Sequence, residues 1–260
     1  MRFSMISFGV LLLATTAPAM AQDETSPPKP ITINGSATVV SDYKFRGISQ
    51  TDGNFAVQGG ITVSHESGFY VSVWGSSIDD YVTVHGTAHQ ELDLIAGFKK
   101  TFGGATFDIG ALYYVYPGTR PGFDGDTSSS DFIEPYVSVS YALGPVTAKA
   151  TANYAPKQKA LSLDQGLTLP SQDNLYLAGD LSGSIPNTPF SLTAHLGHTF
   201  GPSWLSGPTD EYTDWSLGAA ATWKNLTLGV SYVDTDTDFI TPSGKNAAKG
   251  GVIGSLGVSF

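Results

Sequence analysis

The sequence predicts an all-β fold: a single up-and-down antiparallel transmembrane β-barrel of about 12 strands. From Ile31 onward, apolar residues alternate with Ser, Thr, Gly and Asn at a period of two. The connections between these runs are short and long in turn, as in up-and-down barrels. Only 14% of residues are charged, and no apolar run beyond the N-terminus could span a membrane as a helix. A closed barrel reconciles these observations, because it satisfies its backbone groups in lipid.

The N-terminus has the pattern of a secretory signal peptide. A basic start at Arg2 precedes an apolar stretch and the cleavage pattern Ala19-Met20-Ala21. We therefore predict a signal peptide at 1–21, a periplasmic lead-in at 22–30 and the barrel at 31–260. The chain has no cysteine, so an exported form cannot use disulfides. After cleavage, 12 basic residues remain against 23 acidic ones, a net charge of −11, which argues against nucleic acid as a partner.

Twelve alternating runs predict the twelve strands, and an even number leaves both termini on the periplasmic side. Pro135 lies inside the sixth run and lacks a ladder donor, so it predicts a bulge or an upper strand end. No connecting loop is long enough to predict as a constriction loop. The runs are 31–39, 57–64, 69–74, 91–98, 106–115, 133–141, 146–154, 175–181, 190–196, 214–223, 226–232 and 252–260.

The two faces of the strands distinguish a membrane barrel from a soluble sandwich, which would also alternate. The polar face has few charges, which suits a polar barrel interior. The apolar face has aromatic residues at strand ends, which are typical of the girdles at the two membrane interfaces. The terminal Phe260 also predicts recognition by barrel-assembly machinery. The girdle candidates are Tyr43, Phe45, Phe69, Phe98, Tyr141, Trp223 and Phe260.

Strand parity also places charged side chains in the lumen. Seven acids against three bases predict a water-filled path with a mild cation preference, with Arg46 facing Glu91 and Asp93 at a constriction. The alternative is a set of salt bridges that braces a plugged interior. Twelve strands lie between the filled eight-stranded barrel and the open porins, so any pore is predicted to be narrow. The predicted lumen-lining charges are Asp42, Lys44, Arg46, Glu91, Asp93, Asp108, Glu134, Lys149, Asp180, His195 and Asp214.

Patterns for catalysis are weak, and we predict that the protein is not an enzyme. A lipase would need a Ser and a His together on the lipid face, but the outward His65 and His198 have no serine partner of matching parity. A protease at the outer rim would need paired acids and a His, and the sequence does not determine their geometry. The rim candidates are Asp79, Asp80, His85 and His89.

Acidic outer loops could bind Ca²⁺, because aspartates alternate there with small residues. Asp124-Gly125-Asp126, with Asp131, forms one such loop, and Asp234, Asp236 and Asp238 form another. Neither matches a full EF-hand loop. The favoured interpretation is solvated loops near a lipopolysaccharide surface. A Cys/His zinc pattern, a phosphate loop and a nucleophile elbow are all absent, so we predict no cofactor and no metal site.

The segment 41–51, Ser-Asp-Tyr-Lys-Phe-Arg-Gly-Ile-Ser-Gln-Thr, is distinctive, and 56–60, 65–70 and 74–76 continue it. It resembles the N-terminal signature of the TorF-type family of inferred outer-membrane porins, which opens with a similar SDYxFRGxSQT run. The motif covers about the first three strands, and the remainder shares barrel character and the C-terminal Phe260. The resemblance implies a β-barrel in the outer membrane and supplies no catalytic residues.

These observations predict a porin-like channel in the outer membrane of a Gram-negative bacterium, reached by signal-peptide export to the periplasm. Small hydrophilic solutes or ions would cross it by passive diffusion. The alternative function is that of a barrel with a closed lumen, which has a structural or interaction role. An outer-membrane barrel enzyme, a lipase or protease, is less favoured. The expected partners are outer-membrane lipid and lipopolysaccharide, barrel-assembly machinery and the solutes. A homo-oligomer is compatible with the sequence.

Overall fold

The computed structural model describes residues 30–84, 87–119, 130–207 and 209–260. The predicted signal peptide at 1–21 and all of the lead-in except Pro30 lie outside these ranges. The described chain forms a closed antiparallel β-barrel of twelve wall strands, which confirms the predicted fold class. Within the described ranges, no helix is long and apolar enough to cross a membrane.

Each wall strand pairs with the strand before and after it, and the first strand pairs with the last to close the barrel. Two further short strands, β2 (Lys44–Phe45) and β3 (Ile48–Ser49), form a separate hairpin. The wall strands are β1 (Ile31–Val40), β4 (Ala56–His65), β5 (Phe69–Ser77), β6 (Gln90–Phe102), β7 (Ala105–Val115), β8 (Phe132–Leu143), β9 (Val146–Gln158), β10 (Gln172–Ser184), β11 (Phe190–Phe200), β12 (Glu211–Trp223), β13 (Leu226–Thr235) and β14 (Gly251–Ser259).

The alternation in the sequence becomes an apolar exterior and a polar interior. In β13, the side chains of Leu228 and Val230 are exposed, whereas those of Thr227 and Ser231 are buried in the barrel. Because the side-chain period of a strand is two, a slip of one residue would turn every apolar side chain inward. The composition of the two faces therefore helps to determine the register of each pair.

The connections alternate in length, as the sequence predicts. One end of the barrel carries tight turns, such as Lys224-Asn225 between β12 and β13, where Lys224 has φ 54°. We call this the turn end and the opposite end, which carries the longer loops, the loop end. The loop-end connections are 41–55, 78–89, 116–131, 159–171, 201–210 and 236–250.

Pro135 lies in β8 without a bulge, so that half of the prediction is wrong. The register between β7 and β8 runs through the Ala111–Pro135 pair without a shift. On the other side, the pairing of β8 with β9 begins only at Tyr136, so the missing N–H of the proline falls beyond that ladder. The side chain of Gln158 instead bonds both the N–H and the C=O of Ile133, at 2.8 and 2.9 Å. The alternative prediction, a position near the upper strand end, matches the structure.

Candidate functional site

The first loop, 41–55, turns into the lumen instead of extending outward. Its β2–β3 hairpin has a two-residue tip at Arg46 and Gly47, with φ 47° and 81°. Two successive positive φ values define the type I′ turn that suits a tight hairpin. A Cβ at Gly47 would collide with Thr235 Cγ2 and lie 3.0 Å from Asp214 Cβ. The tip therefore approaches the wall at β12 and β13 as closely as only glycine allows.

The inward turn corrects the predicted position of two aromatic residues. Tyr43 and Phe45 were expected at the lipid interface, but β1 ends at Val40 and the hairpin is not part of the wall. The Tyr43 ring is 2% exposed and packs edge-on against Trp74 at 5.6 Å. Phe45 packs edge-on against Tyr114 at 6.0 Å. Alternation continues through this segment, so parity alone does not reveal that the chain has left the wall.

Arg46 spans the lumen and binds the opposite wall. Its Nη2 donates to both carboxylate oxygens of Glu134, at 2.7 and 2.8 Å, and both side chains are almost fully buried. Its Nη1 donates to Asn174 Oδ1 at 3.3 Å, and the guanidinium lies 4.1 Å from the centre of the Tyr176 ring. Both of these bonds come from one guanidinium nitrogen, and they are charge-assisted, which makes them stronger than neutral hydrogen bonds. An ion pair therefore joins the hairpin to β8 inside the barrel.

The predicted pairing of Arg46 with Glu91 and Asp93 differs from the observed one. Glu91 accepts a hydrogen bond from the Tyr43 hydroxyl at 2.8 Å. Asp93 is 1% exposed and lies between Trp74 and Tyr114 on the adjacent strands. These two acids line the wall beside the aromatic side of the hairpin, whereas the guanidinium reaches across to Glu134.

Two further predicted lumen charges serve the hairpin itself. Lys44 Nζ donates to the carbonyl oxygens of Gly47, Ala247 and Lys249, at 3.1, 3.3 and 2.7 Å. Asp42 accepts from Ser49 Oγ at 2.5 Å and from Thr51 Oγ1 at 2.9 Å. These contacts fix the base of the hairpin and join it to the loop 236–250.

A second cluster of predicted lumen charges lies on β10, β11 and β12. His195 sits between Asp180, 2.7 Å from Nδ1, and Asp214, 3.0 Å from Nε2. The Tyr176 hydroxyl lies 2.9 Å from the same His195 Nε2 and donates to Asp214 at 3.0 Å. Because the Arg46 guanidinium also lies over the Tyr176 ring, this cluster is in contact with the Arg46–Glu134 pair.

Nearer the turn end, Asp108 accepts from the Tyr70 hydroxyl at 2.9 Å and pairs with Lys99 Nζ at 3.2 Å. Lys99 was not among the predicted lumen charges. Extending the parity of Asp93 along β6 would have identified it. Lys149, which was predicted, lies opposite Asp180 in the register of β9 and β10.

The lumen changes in lining along its length. At the level of the hairpin it holds large side chains and the buried Arg46–Glu134 pair. Below the hairpin, many inward positions are glycine or small hydroxylated residues, and the side chains of Tyr70 and Tyr136 lie over Gly97 and Gly110. These positions include Gly97, Gly110, Ser138, Thr151, Ser182, Thr193, Gly218 and Ser231.

The first and last loops are clamped together above the hairpin. Asp52 accepts hydrogen bonds from Thr241 Oγ1 at 2.9 Å and Ser243 Oγ at 2.7 Å, and it pairs with Lys245 Nζ at 3.2 Å. Burial raises the pKa of the Asp52 carboxyl, but the bonds from Ser243, Thr241 and Lys245 outweigh it, and the pKa lies below its ordinary value. The ionised carboxylate therefore holds this clamp at neutral pH.

We expect Asp52→Asn to speed trypsin cleavage after Lys245 and Lys249 by about fivefold at pH 7, as expected for losing ~1 kcal/mol of hydrogen bonding. Because the folded pKa is lowered, the clamp is complete above the unfolded pKa of about 3.9 and is lost as pH falls through the folded value. Limited proteolysis at pH 7 measures the effect, with exposed Asp210→Asn as the control. Equal cleavage rates in the two variants would show that Asp52 does not hold these loops together.

The candidates for catalysis that lie in the described residues make local contacts. Asp79 caps the short helical turn at 80–82 by accepting from the backbone N–H of Asp80. His85 lies outside the described residues. His65 bonds its near neighbour Ser67, and His198 Nδ1 lies 3.0 Å from Thr213 Oγ1.

Most described acidic side chains of the long loops are engaged with protein donors. Asp131 accepts from the backbone of Tyr116 at 2.8 Å, and Asp236 accepts from that of Thr213 at 2.6 Å. Asp238 accepts from the Asn246 amide at 2.6 Å. Asp124 and Asp126 lie outside the described residues. In the part of the chain that the structure describes, no three His, Cys, Asp or Glu side chains are grouped to hold a metal ion.

The fold is that of a porin-type barrel. The similar solved structures include the KdgM porin, with TM-score 0.53, 10% identity, and coverage of 88% of this chain and 97% of that chain. A chain from work on the in-meso crystallization of membrane proteins has TM-score 0.51 and 10% identity, covering 87% and 83%. The channel DcaP of Acinetobacter baumannii has TM-score 0.44 and 12% identity, covering 88% and 97%.

Residues 24–253 match the family described as bacterial protein of unknown function (Gcw_chp), and the chain belongs to this family. No curated protein sequence is significantly similar to it.

Proposed function

We propose that this protein is a porin-like channel of the bacterial outer membrane that passes small hydrophilic solutes or ions by passive diffusion. The observation that carries the proposal is the hairpin that enters the barrel and sets Arg46 against Glu134 in a lumen with many polar and charged side chains. Charged side chains at the narrow part of a pore influence which solutes pass. The porin-type fold and the resemblance of the 41–51 segment to TorF-type porins support the same function.

A mild cation preference follows from the charges around the lumen. The lumen contains the seven predicted acids and four bases, because Lys99 is added to Lys44, Arg46 and Lys149. His195 lies between two carboxylates. The acidic excess is smaller than the sequence predicted but keeps its sign. Rings of acidic side chains favour cations in a pore.

The outer-membrane location follows from the apolar exterior and its aromatic ends. Phe69, Tyr141 and Trp223 are exposed on the wall near the turn end, where aromatic side chains suit a membrane interface. The turn end would face the periplasm and the loop end the exterior, near lipopolysaccharide. Export by the predicted signal peptide, insertion by barrel-assembly machinery and a homo-oligomeric state belong to this proposal.

Planar-bilayer recording of the purified full-length protein tests the proposal. We expect discrete conductance steps, and in a KCl gradient a reversal potential of the sign that indicates cation preference. Insertion without any steps would favour the second candidate, a closed-lumen barrel with a structural or interaction role. The clamp between Asp52 and Lys245 above the hairpin is the observation that favours that candidate.

Opposite changes in selectivity are expected from the two members of the constriction pair. Arg46→Ala leaves the Glu134 carboxylate unopposed, so we expect the K⁺/Cl⁻ permeability ratio to rise severalfold. Glu134→Gln leaves the guanidinium unopposed, so the ratio should fall. Each single variant should also lose about 3–5 kcal/mol of stability, because a buried charge loses its partner.

The double variant Arg46→Ala/Glu134→Gln is the matched control, and its permeability ratio should lie near that of the wild type. Reversal potentials measure selectivity, and thermal unfolding in detergent measures stability. Equal ratios in all four proteins would show that this pair does not govern permeation.

A further inference from the structure

A small pocket lies at the loop end, directly on the hairpin. It has a volume of about 50 Å³ and opens to the outside. Its aromatic lining comes from the hairpin, from four loops and from β12. These rings are Phe45, Tyr81, Tyr116, Trp204, Tyr212 and Phe239.

The position of these rings is unrelated to the membrane girdles. Tyr81 and Phe239 come from different loops, and their ring centres lie 6.2 Å apart above the barrel mouth. Phe45 also lines the pocket, and its ring centre lies 4.8 Å from the Arg46 guanidinium. A solute in the pocket would therefore rest immediately above the constriction.

The chemistry of the pocket favours a neutral solute with an apolar face. None of the residues that line it carries a charge. Burial raises the pKa of Tyr81 to about 12, so its hydroxyl stays neutral while it donates to the Ser49 carbonyl. Gln50 also lines the pocket, and its side-chain amide donates to the backbone carbonyls of Ile48 and Ser49. Ions gain little from such a lining, whereas a ring that has both an apolar face and hydroxyl groups matches it.

The size of the pocket distinguishes a sugar from a wholly apolar ring. A cavity that encloses benzene has a volume of about 150 Å³. A pocket of about 50 Å³ takes only one face or edge of a ring and leaves the other side in water. A monosaccharide unit tolerates this arrangement, because its outward hydroxyl groups remain hydrated.

We propose that this aromatic pocket binds one ring of a neutral saccharide at the mouth of the barrel. The inference rests on the proposed channel function for its purpose, since the bound sugar would be positioned for passage past the hairpin. Binding itself does not require conduction, so the two can be tested separately.

Calorimetric titration tests the proposal. The purified full-length protein in detergent is titrated separately with glucose, maltose and maltotriose. We expect saturable binding of at least one of these sugars. Trp204→Ala should weaken it about three- to tenfold, the loss expected for one aromatic stacking contact. Phe239→Leu keeps an apolar side chain but removes a ring, and it should weaken binding in the same direction. Trp223→Ala, an exposed residue at the turn end, is the matched control and should bind like the wild type.

Two results would overturn the inference. One is that none of the three sugars binds. Phenol serves as an aromatic probe, and binding of phenol without binding of any sugar would count as this result. The other is sugar binding that is equal in Trp204→Ala, Phe239→Leu and the control. If the protein binds sugar but shows no conductance steps, the sugar-binding assignment of the pocket stands and only the channel function is refuted.

Discussion

Joining Val40 to Ala56 through a two-residue Asn-Gly turn is expected to raise single-channel conductance by about threefold or more, because a barrel of this size has a narrow but real lumen once its insert is removed. The new turn replaces 41–55 and with it the hairpin that crosses the lumen. Val40 and Ala56 are already paired in the wall, and Asn-Gly is the preferred two-residue hairpin turn. The ladders of the twelve wall strands do not include β2 or β3, which pair with each other. The deletion does remove the hydrogen bonds between Ser41 and Gly254 of β14.

The barrel should remain stable in this variant although two acids lose their hydrogen-bond partners on the hairpin. Glu91 and Glu134 would then face water in the widened lumen, which removes most of the cost of leaving a buried carboxylate unpaired. Heat-modifiable migration in gels would verify that the barrel still closes.

A matched control shortens a connection at the other end of the barrel. Replacing the turn 185–189 by two residues leaves the hairpin in place, so the conductance should not change. Conductance that is equal in the wild type and the hairpin deletion would refute the assignment of the hairpin as the constriction. A deletion that conducts while the wild type does not would favour the closed-lumen candidate, with the hairpin as its plug.

Removing Phe260 is expected to lower the amount of folded barrel in the outer membrane by about tenfold, because the C-terminal strand must close the sheet edge during assembly. The backbone of Phe260 exchanges two hydrogen bonds with Gly35, at 2.8 and 2.9 Å, next to the β1–β14 pairing. A Cβ at Gly35 would lie 2.5 Å from the Phe260 ring, so the ring packs directly against that backbone. The ring itself is 70% exposed on the outside of the barrel.

Substitutions at Phe260 separate recognition from stability. Phe260→Tyr should assemble like the wild type, because it keeps an aromatic ring and all backbone bonds. Phe260→Ala should assemble poorly in cells yet refold normally from urea into detergent. Phe190→Ala, another exposed aromatic near the turn end, is the control and should assemble normally. If Phe260→Ala fails equally in cells and in detergent, the ring acts through stability and the proposed assembly signal is wrong.

The prediction from sequence succeeded where the determining interactions are local. In the wall strands, each residue faces lipid or lumen according to its parity, so Leu228 and Ser231 could be placed from the pattern alone. The same rule would have placed Lys99 in the lumen. The short turns were also recognisable, because Lys224-Asn225 connects two adjacent alternating runs.

The prediction failed where the chain leaves the wall. Tyr43 and Phe45 continue the alternation of β1, but the hairpin folds inward and places both rings inside the barrel. Glycine at 47 is compatible with a tight turn anywhere, and the sequence contains no local signal for the direction of the loop. That direction depends on contacts with β12 and β13, which are distant in the sequence.

The sequence by itself therefore determined the number of strands, their faces and the alternation of short turns and long loops, because a period of two and turn residues are local properties. Only the tertiary structure decided that Arg46 pairs with Glu134 rather than with Glu91 and Asp93. Those acids lie on different strands, and which of them meets the guanidinium depends on barrel closure and on the depth of the hairpin. The aromatic pocket has the same origin, because separate loops bring Tyr81, Trp204 and Phe239 together only once the barrel has closed.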